Sequence, residues 1–104
     1  MNADDCPLTE ALKSINGKYD PLIIHLLFME EMRYNDLLHS IDGITARALS
    51  SSLKKLLKDN IIEKIYKGNR FLYKLTENGL RLKDSINDLE NWYTRNKYLI
   101  RKIK

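Results

Sequence analysis

The chain has 104 residues, enough for one modest hydrophobic core, which predicts a single domain over residues 1–104. Its residues are 43% hydrophobic and 31% charged, with 4 Gly and 2 Pro, a composition that excludes a disordered chain and is typical of a compact helical protein. One Cys excludes a disulfide framework, and no export signal or membrane-spanning run is apparent, so we expect a cytoplasmic protein.

Charge is distributed unevenly along the chain. The net charge is +4, but residues 1–42 carry three bases and eight acids, a net charge of −5. Residues 43–74 carry eight bases and two acids, a net charge of +6, and residues 75–104 carry +3. Such segregation is typical of a surface that binds a polyanion, and a merely solvated basic face gives the same pattern.

Two helices are predicted before residue 30. Leu8, Leu12 and Ile15 recur at helical spacing, and Asn16-Gly17 ends this short first helix. Asp20-Pro21 predicts the start of a second helix, with Asp20 as its N-cap and Pro at its first position. This second helix is apolar nearly all round, so we expect it to be buried.

A helix-turn-helix is predicted next. After a short extended segment over residues 32–34, Asn35 is the expected cap of a third helix, and Asp42-Gly43 turns the chain. The fourth helix is predicted to begin near Thr45 and to end at Asp59-Asn60, since Asn tolerates the left-handed backbone conformation. Two helices joined by a tight glycine turn are the result.

The fourth helix has opposed apolar and basic faces. At 100° per residue its leucines form one stripe, and its bases and hydroxyls lie on the other side. No acid occurs between Gly43 and Lys58, whereas solvated helices usually mix both signs. Such a helix fits the major groove of double-stranded DNA, where Arg bonds guanine and small residues permit close approach. The residues expected to contact DNA are Thr45, Arg47, Ser50, Ser51, Lys54 and Lys55.

Residues 61–75 predict a β-hairpin. Two segments rich in β-branched and aromatic residues are separated by Gly68-Asn69, a strong two-residue turn signal. The tip carries Lys67, Asn69 and Arg70, which are expected to reach a phosphate or the minor groove beside the fourth helix. Charged hairpin tips also occur for solubility alone.

The last predicted helix, over residues 76–103, carries a heptad seam. Its apolar stripe is too long to be buried on so small a core, so we expect self-association into a homodimer, with Asn96 fixing the register. Packing on the first helix of the same subunit is the alternative. A dimer would set two recognition helices roughly 34 Å apart, suited to a palindromic site. The residues expected at the dimer interface are Leu8, Leu12, Leu82, Ile86, Leu89, Tyr93, Asn96 and Ile100, and the seam ends at Ile103.

Catalysis has little support in the sequence. No nucleophile elbow, phosphate loop, HExxH or paired-Cys motif occurs, so we expect neither an enzyme nor a cofactor. His25 lies within an apolar helix and is interpreted as a core histidine. A metal site built from His25, His39 and Cys6 is a disfavoured alternative.

Linked short motifs occur in order between residues 6 and about 93. They are Cys6-Pro7-Leu8, Gly17-Lys18-Tyr19, Arg33-Tyr34-Asn35-Asp36-Leu37, Gly43-Ile44-Thr45, Leu49-Ser50, Leu53, Tyr73-Lys74-Leu75-Thr76 and Gly79. In these motifs the chain resembles the HxlR-type winged-helix regulators, relatives of the MarR group, which implies a homodimer built from the first and last helices. Tyr19, where the family usually has Trp, and Asn60, where it usually has Gly, depart from the pattern.

The resemblance also singles out Cys6. Some members of the family use a Cys at this place as a redox or electrophile sensor, which implies the same role here. A nearby helix N-terminus lowers a thiol pKa, whereas Asp4 and Asp5 oppose this effect, so an inert cysteine is the competing interpretation.

A function other than specific regulation is compatible with the same fold. Winged helices also serve as architectural DNA binders without sequence preference and as protein-interaction modules. A membrane partner is not expected, and the sequence does not indicate any small-molecule effector.

Overall fold

Five helices and one β-hairpin follow one another in a computed structural model that describes residue 2 and residues 5–101, with only the backbone of residue 101. This arrangement confirms the predicted mostly helical fold with a small hairpin. Ile103, at the end of the predicted seam, lies outside the described residues. The elements are α1 (Pro7–Lys13), α2 (Asp20–Met29), α3 (Tyr34–Ser40), α4 (Ala46–Lys58), β1 (Ile62–Lys67), β2 (Arg70–Leu75) and α5 (Glu77–Arg101).

The predicted N-cap role of Asp20 is wrong. Asp20 is the first residue of α2, and Tyr19 occupies the cap position. The Asp20 carboxylate is buried, where it accepts hydrogen bonds from the Gly17 backbone N–H at 2.7 Å and from the Lys55 ammonium. An ion pair with a distant lysine therefore takes the place of a local cap.

Helix α2 is buried on one face only, which corrects the prediction of burial all round. Ile23, Ile24 and Leu27 lie in the core, because this face of α2 packs against α5 and β2. His25 is exposed and is not the predicted core histidine. The exposed apolar side chains of α2 are Leu22, Phe28 and Met29.

The segment before α3 forms less regular structure than predicted. Instead of a strand, Met32 makes a single antiparallel bridge with Tyr73 of β2. Helix α3 begins at Tyr34, two residues earlier than expected, and Arg33 is its N-cap in place of Asn35. The Asp36 carboxylate accepts from the Arg33 backbone N–H at 3.2 Å, and this bond stabilises the earlier start.

Both predicted ends of α4 are confirmed. Thr45 is the N-cap, and its Oγ1 accepts a hydrogen bond from the Ala48 backbone N–H at 3.0 Å. Beyond the last turn, Asn60 has a φ of 57°, the left-handed conformation that Asn tolerates. The chain leaves α4 there and enters β1.

The hairpin has the predicted register and turn. Lys67 pairs with Arg70 across the two-residue turn, and Gly68 has a φ of +64°. The opposite end is anchored in the core by Ile62 and Leu75. There α5 approaches so closely that a Cβ on Gly79 would lie 2.1 Å from the Ile61 carbonyl oxygen.

Helix α5 belongs to the core only in its first part. Leu82 and Ile86 pack against the core cluster, whereas the apolar side chains that follow along the helix are exposed. These exposed residues are Leu89, Trp92, Tyr93, Tyr98, Leu99 and Ile100. None of the helices in the described part of the chain is both long and apolar enough to cross a membrane.

Candidate nucleic-acid interface

The outward face of α4 carries the predicted basic and hydroxyl residues. Arg47, Ser51 and Lys54 are exposed, while Leu49, Leu53 and Leu56 anchor the opposite face in the core. This helix is therefore held by its leucines and presents its polar side outward. Thr45 precedes it as the N-cap, with its hydroxyl oxygen already accepting from a backbone N–H.

Lys55 differs from the other predicted DNA contacts. Its ammonium bonds the buried Asp20 carboxylate and also donates to Asn16 Oδ1 at 2.7 Å. Lys55 lies on the flank of α4 beside the buried Ser52, so its side chain turns toward α2 instead of outward. We therefore expect Lys55 to hold α4 in place, and its contact with DNA stays a prediction.

Tyr34 is a residue of this surface that sequence reasoning did not identify as a site residue. Its hydroxyl donates to the Ala46 carbonyl at 3.1 Å and lies 3.0 Å from the Ser50 hydroxyl. These bonds join the start of α3 to the first two turns of α4. No sequence signal indicated this role, because the contact spans 12 and 16 positions.

A cleft of about 500 Å³ separates α4 from the hairpin. Lys54 and Lys58 border it on the helix side, and Lys64 and Tyr73 border it on the hairpin side. The remaining lining residues are Tyr34, Ser50, Leu53 and Leu57. No acidic side chain of the described residues is among them, so the lining contributes three positive charges and no negative one.

The two cations at the hairpin tip, Lys67 and Arg70, lie in different surroundings. Asn69 and Arg70 are exposed, whereas the Lys67 ammonium lies 2.8 Å from a carboxylate oxygen of Glu31. The hydrogen bond from Lys67 lowers the pKa of Glu31 below its ordinary value. Lys67 is therefore tethered toward the body of the protein, although its side chain is still 63% exposed.

An apolar groove lies between α1 and α5. Leu8 and Leu12 line it from α1, and Leu82, Ile86 and Leu89 line it from α5. Leu8 and Leu89 are 65% and 60% exposed, far more than core leucines. The two helices line the same groove and leave its apolar surface uncovered, so self-association through α5 stays a prediction.

Farther along α5 the predicted interface residues differ in their exposure. Tyr93 and Ile100 are exposed, whereas Asn96 is half-buried. The Asn96 side-chain amide donates to the Trp92 carbonyl at 2.9 Å, within its own helix. A register-fixing role for Asn96 requires a partner chain and stays a prediction.

Cys6 occupies the N-cap position of α1 and is half-buried. The backbone N–H groups of Thr9 and Leu8 lower the pKa of the thiol, because they stabilise a negative sulfur at the start of the helix. The predicted counteracting residue Asp4 lies outside the described residues. No group of three or more His, Cys, Asp or Glu side chains able to hold a metal ion occurs in the described part of the chain.

A helix-turn-helix followed by a β-hairpin wing, with a basic face on the second helix, defines a winged helix-turn-helix DNA-binding protein. The chain belongs to the HxlR-like helix-turn-helix family, whose profile matches residues 14–100. This membership confirms the resemblance found in the sequence. The protein is thus a transcriptional regulator of the HxlR type, in a family of regulators and not of enzymes.

Relatives and solved structures of the same class cover most of this chain. The regulatory protein MalR of Fusobacterium mortiferum is 34% identical over 99 residues, which are 91% of this chain and 93% of MalR. The regulator YodB of Bacillus subtilis is 30% identical over 91 residues, 84% of this chain and 81% of YodB.

Two solved structures of regulators illustrate the similarity of fold. The reduced form of YodB matches with a TM-score of 0.76 at 27% identity, covering 85% of this chain and 90% of YodB; YodB has also been solved with quinone bound. A MarR-family regulator from Enterococcus faecalis matches with a TM-score of 0.78 at 29% identity, covering 92% and 88% of the two chains.

Proposed function

We propose that the protein is a cytoplasmic homodimeric regulator that binds a specific double-stranded DNA sequence through α4 and the wing. The observation that carries the proposal is the outward face of α4, where Arg47, Ser51 and Lys54 are exposed and no acid occurs. In this arrangement α4 enters the major groove, and Arg47 in its first turns contacts base edges. The wing tip at Asn69 and Arg70 lies over the flanking backbone or minor groove.

Dimerisation is the second part of the proposal. The groove between α1 and α5 leaves Leu8, Leu12 and Leu89 exposed, and the same helix continues with Tyr93 and Ile100. Contiguous exposed apolar surface of this kind marks protein–protein contacts. A two-fold symmetric pair would present two α4 helices to successive major grooves of a palindromic site.

A binding titration tests this function. Purified protein is titrated against the DNA upstream of its own gene and against a scrambled duplex of the same composition, at two salt concentrations. We expect tighter binding to the upstream duplex and weaker binding to both duplexes as salt rises. Equal affinity for both would favour an architectural DNA binder, and no binding at low salt would favour a protein-interaction module.

Cys6 supports a second proposal, that DNA binding responds to oxidants or electrophiles. The amides at the start of α1 lower the thiol pKa, and YodB, a relative, has been solved in reduced and quinone-bound forms. Because Leu8 follows Cys6 by two residues and lines the α1–α5 groove, modification of the thiol would act next to the proposed dimer contact. We expect a quinone to weaken DNA binding by the wild type and not by Cys6→Ser. Equal loss in both proteins would exclude the sensor role.

A further inference from the structure

The cleft between α4 and the wing contains three lysines that the proposed function has not yet used together. Lys54, Lys58 and Lys64 line one cleft, and none of the three forms an ion pair with another described residue. The acids nearby on the hairpin side are engaged elsewhere. Glu63 lies 3.9 Å from Lys74 on the opposite face of the hairpin, and Glu31 pairs with Lys67.

Aromatic rings restrict the position of the hairpin lysine. The Lys64 ammonium lies 4.9 Å from the centre of the Phe71 ring and 5.6 Å from that of Tyr73. Tyr66 stacks on Phe71 with ring centres 3.8 Å apart, so this face of the wing carries one cation among three rings. Cation–π contacts orient an ammonium without neutralising it, so its charge stays available to an anion.

The other residues that line the cleft are uncharged. The Tyr34 hydroxyl donates to the Ala46 carbonyl, which leaves the Ser50 hydroxyl to donate to the Tyr34 oxygen. The lysines therefore provide the attraction for a ligand, and the two hydroxyls with Leu53 and Leu57 provide a fixed surface beneath it.

We propose that this cleft is a phosphate site that holds the DNA backbone strand running between the major and minor grooves. The inference rests on the proposed function. The two grooves of a duplex share one sugar-phosphate backbone as their common wall. If α4 lies in the major groove and the wing lies over the adjacent minor groove, that backbone must pass over the cleft between them. Lys58 and Lys64, which were not in the predicted site, are then phosphate ligands together with Lys54.

Salt dependence is the first test. Lys58→Gln/Lys64→Gln is compared with Lys18→Gln/Lys97→Gln, which removes two exposed charges outside α4 and the wing. Binding to one duplex is followed by fluorescence anisotropy between 50 and 200 mM salt. Because each phosphate contact contributes about 0.9 to the slope of log K against log salt, we expect the slope to fall by about 1 per cleft, or about 2 per dimer. The control variant should keep the wild-type slope.

A neutral backbone analogue locates the contact. Single methylphosphonates are placed in turn along the upstream duplex, each of which removes one phosphate charge. At one position per half-site, neutralisation should weaken binding by the wild type and leave Lys58→Gln/Lys64→Gln unaffected. An unchanged slope together with the same methylphosphonate profile in both proteins would overturn the inference.

Free phosphate is the other source of the same chemistry. Inorganic phosphate is titrated at constant ionic strength while the backbone NMR signals of Ser50 and Tyr73 are followed. Saturable shifts in the wild type, combined with an unchanged DNA slope in the double variant, would assign the cleft to a free phosphorylated ligand and overturn the DNA assignment. A wild type that binds no duplex at low salt would instead overturn the proposed function itself.

Discussion

Two exposed surfaces of this molecule differ in charge and polarity. The side built by α4 and the wing is basic and polar, and its exposed residues include Arg47, Lys54 and Arg70. The side built by α1 and α5 is apolar, and its exposed residues include Leu8 and Leu89. A charged surface suits a polyanion, whereas an apolar surface suits another protein surface. One small core thus supports two exposed surfaces of opposite chemistry.

An ion pair ties α2 to the basic side. Asp20 follows the turn after α1, and its buried carboxylate holds Lys55 of α4. The same lysine donates to Asn16 in that turn. The position of the recognition helix is thus tied to the segment that leaves the apolar side.

Loss of Lys55 should have the largest effect on stability and the smallest on DNA contact. Lys55→Ala leaves the Asp20 carboxylate buried and unpaired, so we expect a loss of about 3 kcal/mol in the free energy of unfolding. Urea denaturation measures this loss. Lys54→Ala, one residue earlier and exposed, is the control and should stay within about 0.5 kcal/mol.

The reverse order is expected for the DNA titration, in which Lys54→Ala lowers the salt slope and Lys55→Ala preserves it. The double variant Asp20→Ala/Lys55→Ala should lose less free energy of unfolding than the two single variants lose together, because no unpaired charge remains. If Lys55→Ala kept full stability and lowered the slope, Lys55 would belong to the DNA surface after all.

A charge on the apolar side should separate dimerisation from folding. Leu89→Glu places a carboxylate in the α1–α5 groove, and we expect a folded monomer in analytical ultracentrifugation. Affinity for a palindromic duplex should fall about 100-fold or more, because two linked recognition helices bind far more tightly than one. Met29→Glu is the matched control, since Met29 is 67% exposed but lies outside the groove. A dimeric Leu89→Glu with unchanged affinity would show that the groove is not the interface.

Base reading and backbone contact should be separable on the basic side. Arg47→Ala should cost about 1–3 kcal/mol on the specific duplex and much less on a scrambled one, because bidentate bonds to a base are lost. Lys67→Ala should weaken binding to both duplexes equally. Competition titrations with both duplexes measure the difference. Equal losses for Arg47→Ala would contradict its assignment to base reading.

The smallest effect concerns the ion pair at the hairpin tip. Lys67 lowers the pKa of Glu31, so the pair stabilises the fold above the ordinary Glu pKa, and this contribution is lost as pH falls through the lowered value. In Lys67→Gln the pKa of Glu31 should rise toward its ordinary value, as followed by carboxyl NMR titration. Lys74→Gln should raise it less, because Lys74 has the weakest effect on Glu31. No rise in Lys67→Gln would mean that the pair does not persist in solution.

Local chemistry in the sequence determined much of this protein. Thr45 and Asn60 bound α4 because capping and the left-handed conformation involve only neighbouring residues. Gly68 and Asn69 set the hairpin turn for the same reason. The opposed faces of α4 followed from helical periodicity, and the linked motifs identified the family before any coordinates.

Only the tertiary structure decided which of the basic residues are free to bind DNA. Lys55 and Lys54 are neighbours on one basic helix, but the first is bound to Asp20, 35 positions away, and the second faces the cleft. Lys64 joins that cleft because the hairpin folds back beside α4. Such pairings depend on contacts between segments far apart in the chain, and periodicity and capping, which act over a few residues, do not specify them.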